Sequence, residues 1–167
     1  MIILGIDPGY AIIGWGVLEY KANKFRVIDY GAITTDAHTP FPLRLQTIYT
    51  EMNLIFDKYK PEVMSMEKLF YNNNAKTVID VAQARGVITL SAQLHRAEIA
   101  EYTPLQVKQS VTGYGRAVKK QVQEMTRLIL NLEKIPKPDD TADALAMAIC
   151  HGHASGSLLG VYNKFLR

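Results

Sequence analysis

Apolar and polar residues alternate with two different periods along the chain, and each change of period marks a new predicted element. The first apolar run, IILGID at 2–7, ends where the turn-forming Pro8-Gly9 pair begins. Helical spacing first appears at 42–59, and Pro61 ends it. The same criteria predict strands at 2–7, 11–20, 25–34, 62–67 and 98–102, and helices at 42–59, 75–95, 103–111, 118–132 and 139–153.

The order of these elements predicts an α/β fold. Three consecutive strands without helices between them indicate an antiparallel meander, and the later strands alternate with helices. One five-stranded mixed sheet flanked by helices accommodates both patterns. We expect a single domain over residues 1–153, followed by a C-terminal tail, 154–167, whose lack of pattern suggests flexibility.

Length and composition limit the protein class. A chain of 167 residues that is 48% hydrophobic can bury one core. It contains no run of about 18 or more apolar residues, so we expect no membrane span. The N-terminus enters a strand without a basic leader, and the single cysteine, Cys150, cannot form an internal disulfide. These features predict a cytoplasmic protein.

Acidic residues stand at the ends of three predicted elements. Asp7 and Glu67 end strands, and an acidic group opens the last helix. Carboxylates gathered at about 4 Å repel one another by roughly 4 kcal/mol per pair at an effective dielectric constant near 20. Such a cluster persists when a cation neutralises it, so the coincidence of three acidic termini predicts one divalent-metal site.

Two residues compete for one position in that site. Asp140 and Asp143 are three apart and share a face of the last helix. Asp139 follows Pro138, and we interpret it as the residue that caps the helix by bonding an amide of Thr141 or Ala142. The sequence alone leaves open whether Asp139 or Asp140 is the ligand.

The basic residues are concentrated in one segment. The net charge is only +3, but seven lysines and arginines stand against two glutamates between residues 108 and 137. A basic surface close to an acidic site is typical of a metal-dependent nuclease, in which acids hold the metal and bases contact phosphates.

Four sequence blocks resemble the RuvC family of Holliday-junction resolvases, in the family's order and over nearly the whole chain. The blocks are GIDPG at 5–9 with GWGV at 14–17, EKLF at 67–70 with QARGV at 83–87, QVKQ at 106–109 with GYG at 113–115 and KKQV at 119–122, and ADALA at 142–146 with HGH at 151–153.

The resemblance implies an RNase H-like fold and a homodimeric endodeoxyribonuclease that depends on Mg²⁺ or Mn²⁺, with two ions in each active site. Its substrate would be a four-way DNA junction, cut by paired symmetric nicks that leave 5′-phosphate and 3′-hydroxyl ends in homologous recombination and DNA repair. A branch-migration motor of the RuvA and RuvB type is the implied partner.

Residue by residue, the resemblance assigns the catalytic and metal-binding roles to Asp7, Glu67, Asp140 and Asp143. Asp140 is the position that varies in the family, where some members carry His. The family also implies DNA contacts. These candidate DNA-binding residues are Phe70, Tyr71, Lys108, Arg116, Lys119 and Lys120.

Three further expectations concern roles outside the metal site. Phe70 is predicted to stack on a base at the junction crossover, against the alternative of a core aromatic. His151 lies roughly 12 Å along the helix axis from Asp143, which indicates a structural histidine. The second helix, with small residues at Ala82, Ala84 and Gly86, is predicted to form the dimer contact.

Two alternative functions remain open at this level. One is a monomeric RNase H-like nuclease that acts on RNA. The other is a catalytically inactive junction-binding protein, which would keep the basic contacts without turnover. Paired cleavage of a four-way junction distinguishes both from a resolvase.

Overall fold

The computed structural model describes residues 1–68 and 75–156, with the backbone alone for 75–77. The strands are β1 (Ile2–Asp7), β2 (Ile12–Lys21), β3 (Lys24–Thr34), β4 (Val63–Glu67) and β5 (Glu98–Tyr102). The helices are α1 (Phe41–Tyr59), α2 (Ala75–Leu94), α3 (Pro104–Thr112), α4 (Lys119–Ile129) and α5 (Asp139–Gly156).

The five strands form one mixed sheet in the order β3-β2-β1-β4-β5. β1, β2 and β3 pair antiparallel, whereas β1, β4 and β5 run parallel. The predicted meander and the predicted α/β class are both confirmed. In this arrangement β1 is central, so its buried apolar run is what a strand paired on both sides requires.

The two faces of the sheet receive different helices because successive side chains of a strand point to opposite faces. Leu4 and Ile6 belong to the core cluster that contains residues of α1 and α2. Ile3 belongs to the second cluster, with residues of α3, α4 and α5. Since Asp7 has the same parity as Ile3, it lies on the α5 side of the sheet.

Glycines let α5 lie directly on the sheet. A methyl group added to Gly5 would overlap the carbonyl oxygen of Ala144, and one added to Gly14 would overlap that of Asp140. Helix backbone therefore approaches strand backbone more closely than any larger residue would allow. This contact brings the first turn of α5 against β1 and β2.

The ends of two helices differ by three residues from the sequence predictions. α4 ends at Ile129 rather than 132, because Asn131 adopts the left-handed conformation. α5 continues to Gly156, three residues beyond the predicted end.

The prediction that Asp139 caps α5 is wrong. Asp139 is the first residue inside the helix, and the carbonyl of Pro138 accepts the amide hydrogen of Thr141. The Asp139 carboxylate instead accepts a hydrogen bond from Lys137, which draws it toward solvent.

Helix α2 is apolar on both sides, and the structure decides which side is buried. Ala84, Ile88 and Ala92 pack in the core with α1 residues. The side that carries Ile79 and Leu90 is exposed. The predicted role of Ala84 in a dimer contact is therefore wrong, since its side chain is fully buried within this chain.

In the described part of the chain, none of the helices combines the length and hydropathy needed to cross a bilayer.

Candidate active site

Asp7 and Glu67 meet at one edge of the sheet. They end the neighbouring parallel strands β1 and β4, in which Ile6 pairs with Met66. Ser65 donates a hydrogen bond to the carbonyl of Met147 in α5, at 2.8 Å. Glu67, two residues on, has the parity of Ser65 and so also lies on the α5 side. Both acids therefore face the same helix.

The position of the Asp7 carboxyl group is unfavourable for a negative charge. Burial and, after it, the charges of Asp143, Asp140 and Glu67 together raise the pKa of Asp7 from 3.8 to about 7, while Lys119 opposes them. The four acids predicted from the sequence thus interact in one place. The structure adds that Asp140, not Asp139, is among the charges that act on Asp7.

Glu67 is half-buried and held by an arginine that the sequence analysis did not assign. Burial raises the pKa of Glu67, Asp143 raises it further, and Arg85 lowers it. Arg85 donates to the backbone carbonyl of Glu67 and pairs with the carboxylate of Glu101. Its place in the QARGV block at 83–87 is the sequence signal that could have identified it.

Lys119 contributes a cation to the acid cluster. Its ammonium nitrogen lies 2.8 Å from Oδ2 of Asp143 and 3.9 Å from Oδ2 of Asp139. The hydrogen bond to Asp143 raises the pKa of Lys119. The lysine predicted to contact phosphate therefore sits at the acids themselves.

A cleft of about 220 Å³ connects these groups. Glu67, Asp143, Lys108 and Lys119 line it together. Its remaining lining residues are mainly apolar: Pro104, Val107, Val122, Ala146 and Met147. The site thus combines acids and bases at the edge of an apolar wall, which lowers the local dielectric constant and strengthens their interactions.

The other candidate DNA contacts do not belong to this cleft. Arg116 and Lys120 are exposed. Lys120 lines a separate groove with Tyr114 and Val118, formed by the loop after α3 and the start of α4. Phe70 and Tyr71 lie outside the described residues, so their roles stay predictions.

The donor chemistry of the acid cluster fits a hard divalent cation. Every predicted ligand offers carboxylate oxygens, the ligands that Mg²⁺ and Mn²⁺ prefer. A bound cation would relieve the repulsion that raises the pKa of Asp7. Among residues 1–68 and 75–156, no three acidic, histidine or cysteine side chains already converge in coordination geometry. Lys119 instead supplies the positive charge at Asp143.

A second buried arginine fixes the loop that follows Asp7. Arg44 of α1 donates to the carbonyl of Tyr10 and to the hydroxyl of Thr35, and its guanidinium lies 4.6 Å from the centre of the Tyr10 ring. The sequence analysis assigned no role to this residue. It ties α1 to the backbone three residues beyond Asp7.

The two histidines of α5 take part in packing. His151 is buried and its Nδ1 lies 2.8 Å from the hydroxyl of Tyr102. The ring of His153 meets that of Phe25 edge-on, and its Nδ1 contacts Ser110. The contacts of His151 agree with the structural role predicted for it, and those of His153 are likewise packing contacts.

Comparisons with known proteins give a consistent result. The family model described as crossover junction endodeoxyribonuclease RuvC matches residues 3–151. A crossover junction endodeoxyribonuclease RuvC from Alkaliphilus oremlandii is 59% identical over 92% of this chain and 93% of its own. The RuvC structure from Thermus thermophilus superposes with a TM-score of 0.86 at 31% identity, over 93% of this chain and 95% of that one. The Thermus thermophilus RuvC in complex with a Holliday junction substrate gives a TM-score of 0.85 at 28% identity, with the same coverage.

Proposed function

Because this chain belongs to the RuvC family of crossover junction endodeoxyribonucleases, we propose that it resolves Holliday junctions by paired symmetric nicks during recombination and repair. The observation that carries the proposal is the partly buried carboxyl group of Asp7, which lies beside three further acids and whose pKa is raised to about 7. An enzyme that binds cations between phosphate and protein needs such a cluster of acids.

We assign the metal site to Asp7, Glu67, Asp140 and Asp143, with Mg²⁺ or Mn²⁺ as the cations and two ions per site. A bound pair of such ions supplies an activated water and stabilises the leaving oxygen of an in-line displacement. The expected products carry 5′-phosphate and 3′-hydroxyl ends. Asp139 is less suited to ligation, because its carboxylate is engaged by Lys137 at the surface.

The basic residues act on the DNA. Lys108 and Lys119 line the same cleft as Glu67 and Asp143, so a phosphate brought to the acids would lie within reach of both ammonium groups. Arg116 and Lys120 are exposed outside the cleft and would contact phosphates further along the strand. We propose Phe70 as the residue that stacks on a base at the junction, and Tyr71 as a further DNA contact.

A homodimer would place two such sites on two opposed strands, as a two-fold junction requires. The exposed side of α2 supports this association: Ile79, Leu90 and Leu94 are 64%, 52% and 58% exposed. A methyl group added to Gly86 on the same side would meet no atom of residues 1–68 and 75–156 within 4 Å. The glycine is therefore not needed for packing within one copy, and it leaves room for a second helix.

The dimer has its own test. Leu90→Lys should shift the mass measured by sedimentation from two copies toward one, because it buries a charge in the α2 contact. Leu128→Lys, which changes an equally exposed leucine of α4, should leave the mass unchanged. A wild-type protein that is monomeric at micromolar concentration would contradict the proposal.

The cellular setting follows from the same function. We expect the protein to act in the cytoplasm on junctions that a branch-migration motor of the RuvA and RuvB type has moved into position. Co-sedimentation of the protein with a junction-bound motor, compared with the motor alone, tests this partner.

The decisive experiment is cleavage of a synthetic four-way junction with Mg²⁺, with the products of all four strands mapped. A resolvase cuts two opposed strands at symmetric positions. Cleavage of an RNA–DNA hybrid by a monomer would favour the RNA nuclease. Tight junction binding without any product would favour the inactive binding protein.

A further inference from the structure

Arg85 projects from α2 toward the sheet, although α2 is otherwise packed by apolar side chains. The residue is buried, at 8% exposure. An arginine is seldom buried unless its charge and its donors are matched by partners. Its position therefore needs a reason beyond filling space.

The contacts of Arg85 join two neighbouring strands at the edge that carries the acids. One guanidinium nitrogen donates to the backbone carbonyl of Glu67, the last residue of β4. Another pairs with the carboxylate of Glu101 in β5. The planar, forked guanidinium can hold both partners at once, which a lysine ammonium on a flexible chain does less well.

The carbonyl that Arg85 holds belongs to the residue whose side chain faces the acid cluster. The next backbone amide, that of Lys68, donates to the carbonyl of Tyr102 at 2.8 Å. The peptide unit that follows Glu67 is thus fixed by its carbonyl on one side and by its amide on the other. Fixing this peptide unit limits the direction in which the Glu67 side chain can point.

We propose that Arg85 is a positioning residue that, anchored by Glu101, holds the backbone of Glu67 so that its carboxylate is presented to the divalent cation. The proposal rests on the metal site assigned under the proposed function. Groups that orient metal ligands typically change metal affinity or activity by about 10- to 100-fold when they are removed.

The test measures junction cleavage by the full chain over a range of Mg²⁺ concentrations. For Arg85→Gln, the Mg²⁺ concentration that gives half-maximal cleavage should rise by about 10- to 100-fold, whereas junction binding without metal should not change. Arg85→Lys should fall between this variant and the wild type, because it keeps the charge but not the fork. Glu101→Gln should shift the concentration in the same direction by a smaller factor.

Arg26→Gln is the matched control. Arg26 also pairs with a glutamate, Glu19, but that pair lies at the other end of the sheet, where Ile2 is paired with Glu19. Its Mg²⁺ dependence should equal that of the wild type. Melting curves recorded without metal separate loss of folding from loss of metal response.

The outcomes are distinct. If Arg85→Gln is folded and its half-maximal Mg²⁺ concentration is unchanged, the proposal is overturned, even if its maximal rate has fallen. If Arg85→Gln does not fold, Glu101→Gln decides, since Glu101 is partly exposed and its loss should not unfold the chain. Wild-type protein that fails to cleave at any Mg²⁺ concentration would refute the proposed function instead.

Discussion

The two faces of the sheet pack against their helices in different ways. The face against α1 and α2 is a conventional core, in which large side chains such as Leu4, Ile6 and Phe56 are fully or almost fully buried. On the other face, β1 and β2 present Gly5 and Gly14, so that α5 lies against the strands themselves. Both faces bury apolar side chains, since Ile3 and Leu145 are fully buried on the second face. The second face adds the close approach of helix backbone to strand backbone.

This difference in packing explains why the acid cluster forms on the face against α5. A layer of large side chains would hold α5 too far from β1 for its first turn to reach Asp7. With glycines between them, Asp140 and Asp143 act on Asp7 strongly enough to raise its pKa. Close backbone packing on one face is therefore a condition for the acid cluster, and the hydrophobic core on the other face holds the sheet that carries it.

The largest effect should come from the acids that this close approach brings together. Asp7→Asn, Glu67→Gln or Asp143→Asn should each lower the cleavage rate by about 10³-fold or more, equivalent to roughly 4 kcal/mol of activation free energy. Junction binding should survive, because it depends on phosphate contacts. Rates come from a labelled junction in Mg²⁺, and affinities from a gel shift without metal.

Two neighbours in α5 serve as internal comparisons for the acids. Asp140→Asn should be milder than the other three substitutions, because His occurs at the matching position of the family. Asp139→Asn should cleave almost normally, since its carboxylate is held at the surface by Lys137. If Asp139→Asn cleaved poorly and Asp140→Asn cleaved normally, Asp139 would be the metal ligand and Asp140 would not.

The next largest effect should come from filling the space between α5 and the sheet. Gly14→Ala should destabilise the fold by about 1–3 kcal/mol, because its methyl group would overlap the Asp140 carbonyl. It should also lower the cleavage rate of the folded fraction by displacing Asp140 from Asp7. Denaturant unfolding and cleavage under native conditions measure the two effects separately.

A substitution on the other face separates the two roles. Ile6→Val should cost about 0.5–1.5 kcal/mol of stability through a small cavity, while its cleavage rate stays at the wild-type value. If Gly14→Ala and Ile6→Val each lowered the cleavage rate only as far as they lowered stability, the two faces would not differ in their effect on activity.

A smaller effect concerns the pH dependence of stability without metal. The pKa of Asp7 is about 7 in the folded chain, against an ordinary value of 3.8. Between these values the folded state binds the extra proton, so stability should fall as the pH rises and level off above about pH 7. Asp7→Asn should lack this component and gain about 2 kcal/mol relative to wild type between pH 5 and pH 7.5.

Unfolding by denaturant at several pH values, in the presence of a chelator, tests this prediction. Ile6→Val is the reference, since it should follow the wild-type pH profile with a constant offset. A difference between Asp7→Asn and wild type that does not change with pH would mean that Asp7 ionises normally in the folded chain. The pH dependence from Glu67, whose pKa burial and Asp143 also raise, should remain in both proteins.

The smallest effect should come from the lysines of the cleft. Lys108→Ala and Lys119→Ala should each reduce the slope of log affinity against log salt by about one phosphate contact if they bind DNA. If they act on the transition state, cleavage falls with little change in affinity. Unchanged slopes and unchanged rates in both variants would leave the lysines as ordinary surface charges.

The sequence by itself determined the elements and the identity of the chemical groups. Strand and helix periods are local properties, and the acids at element ends are visible without a fold. The turn at Pro8-Gly9 fixes where β1 ends, and hence that Asp7 lies at a strand terminus. The order of the four family blocks then indicated the activity.

Only the tertiary structure decided which of these groups act together. The side of α2 that is buried could not be inferred, because both sides are apolar, and packing against α1 selected Ala84 and Ile88 rather than Ile79. Lys119 of α4 pairs with Asp143 of α5, and Arg85 of α2 donates a hydrogen bond to the carbonyl of Glu67 in β4. Each contact joins two separate elements. Such contacts depend on the strand order and on the close packing of α5 against the sheet. Both arise when distant segments pack together, and neither leaves a periodic pattern in the sequence.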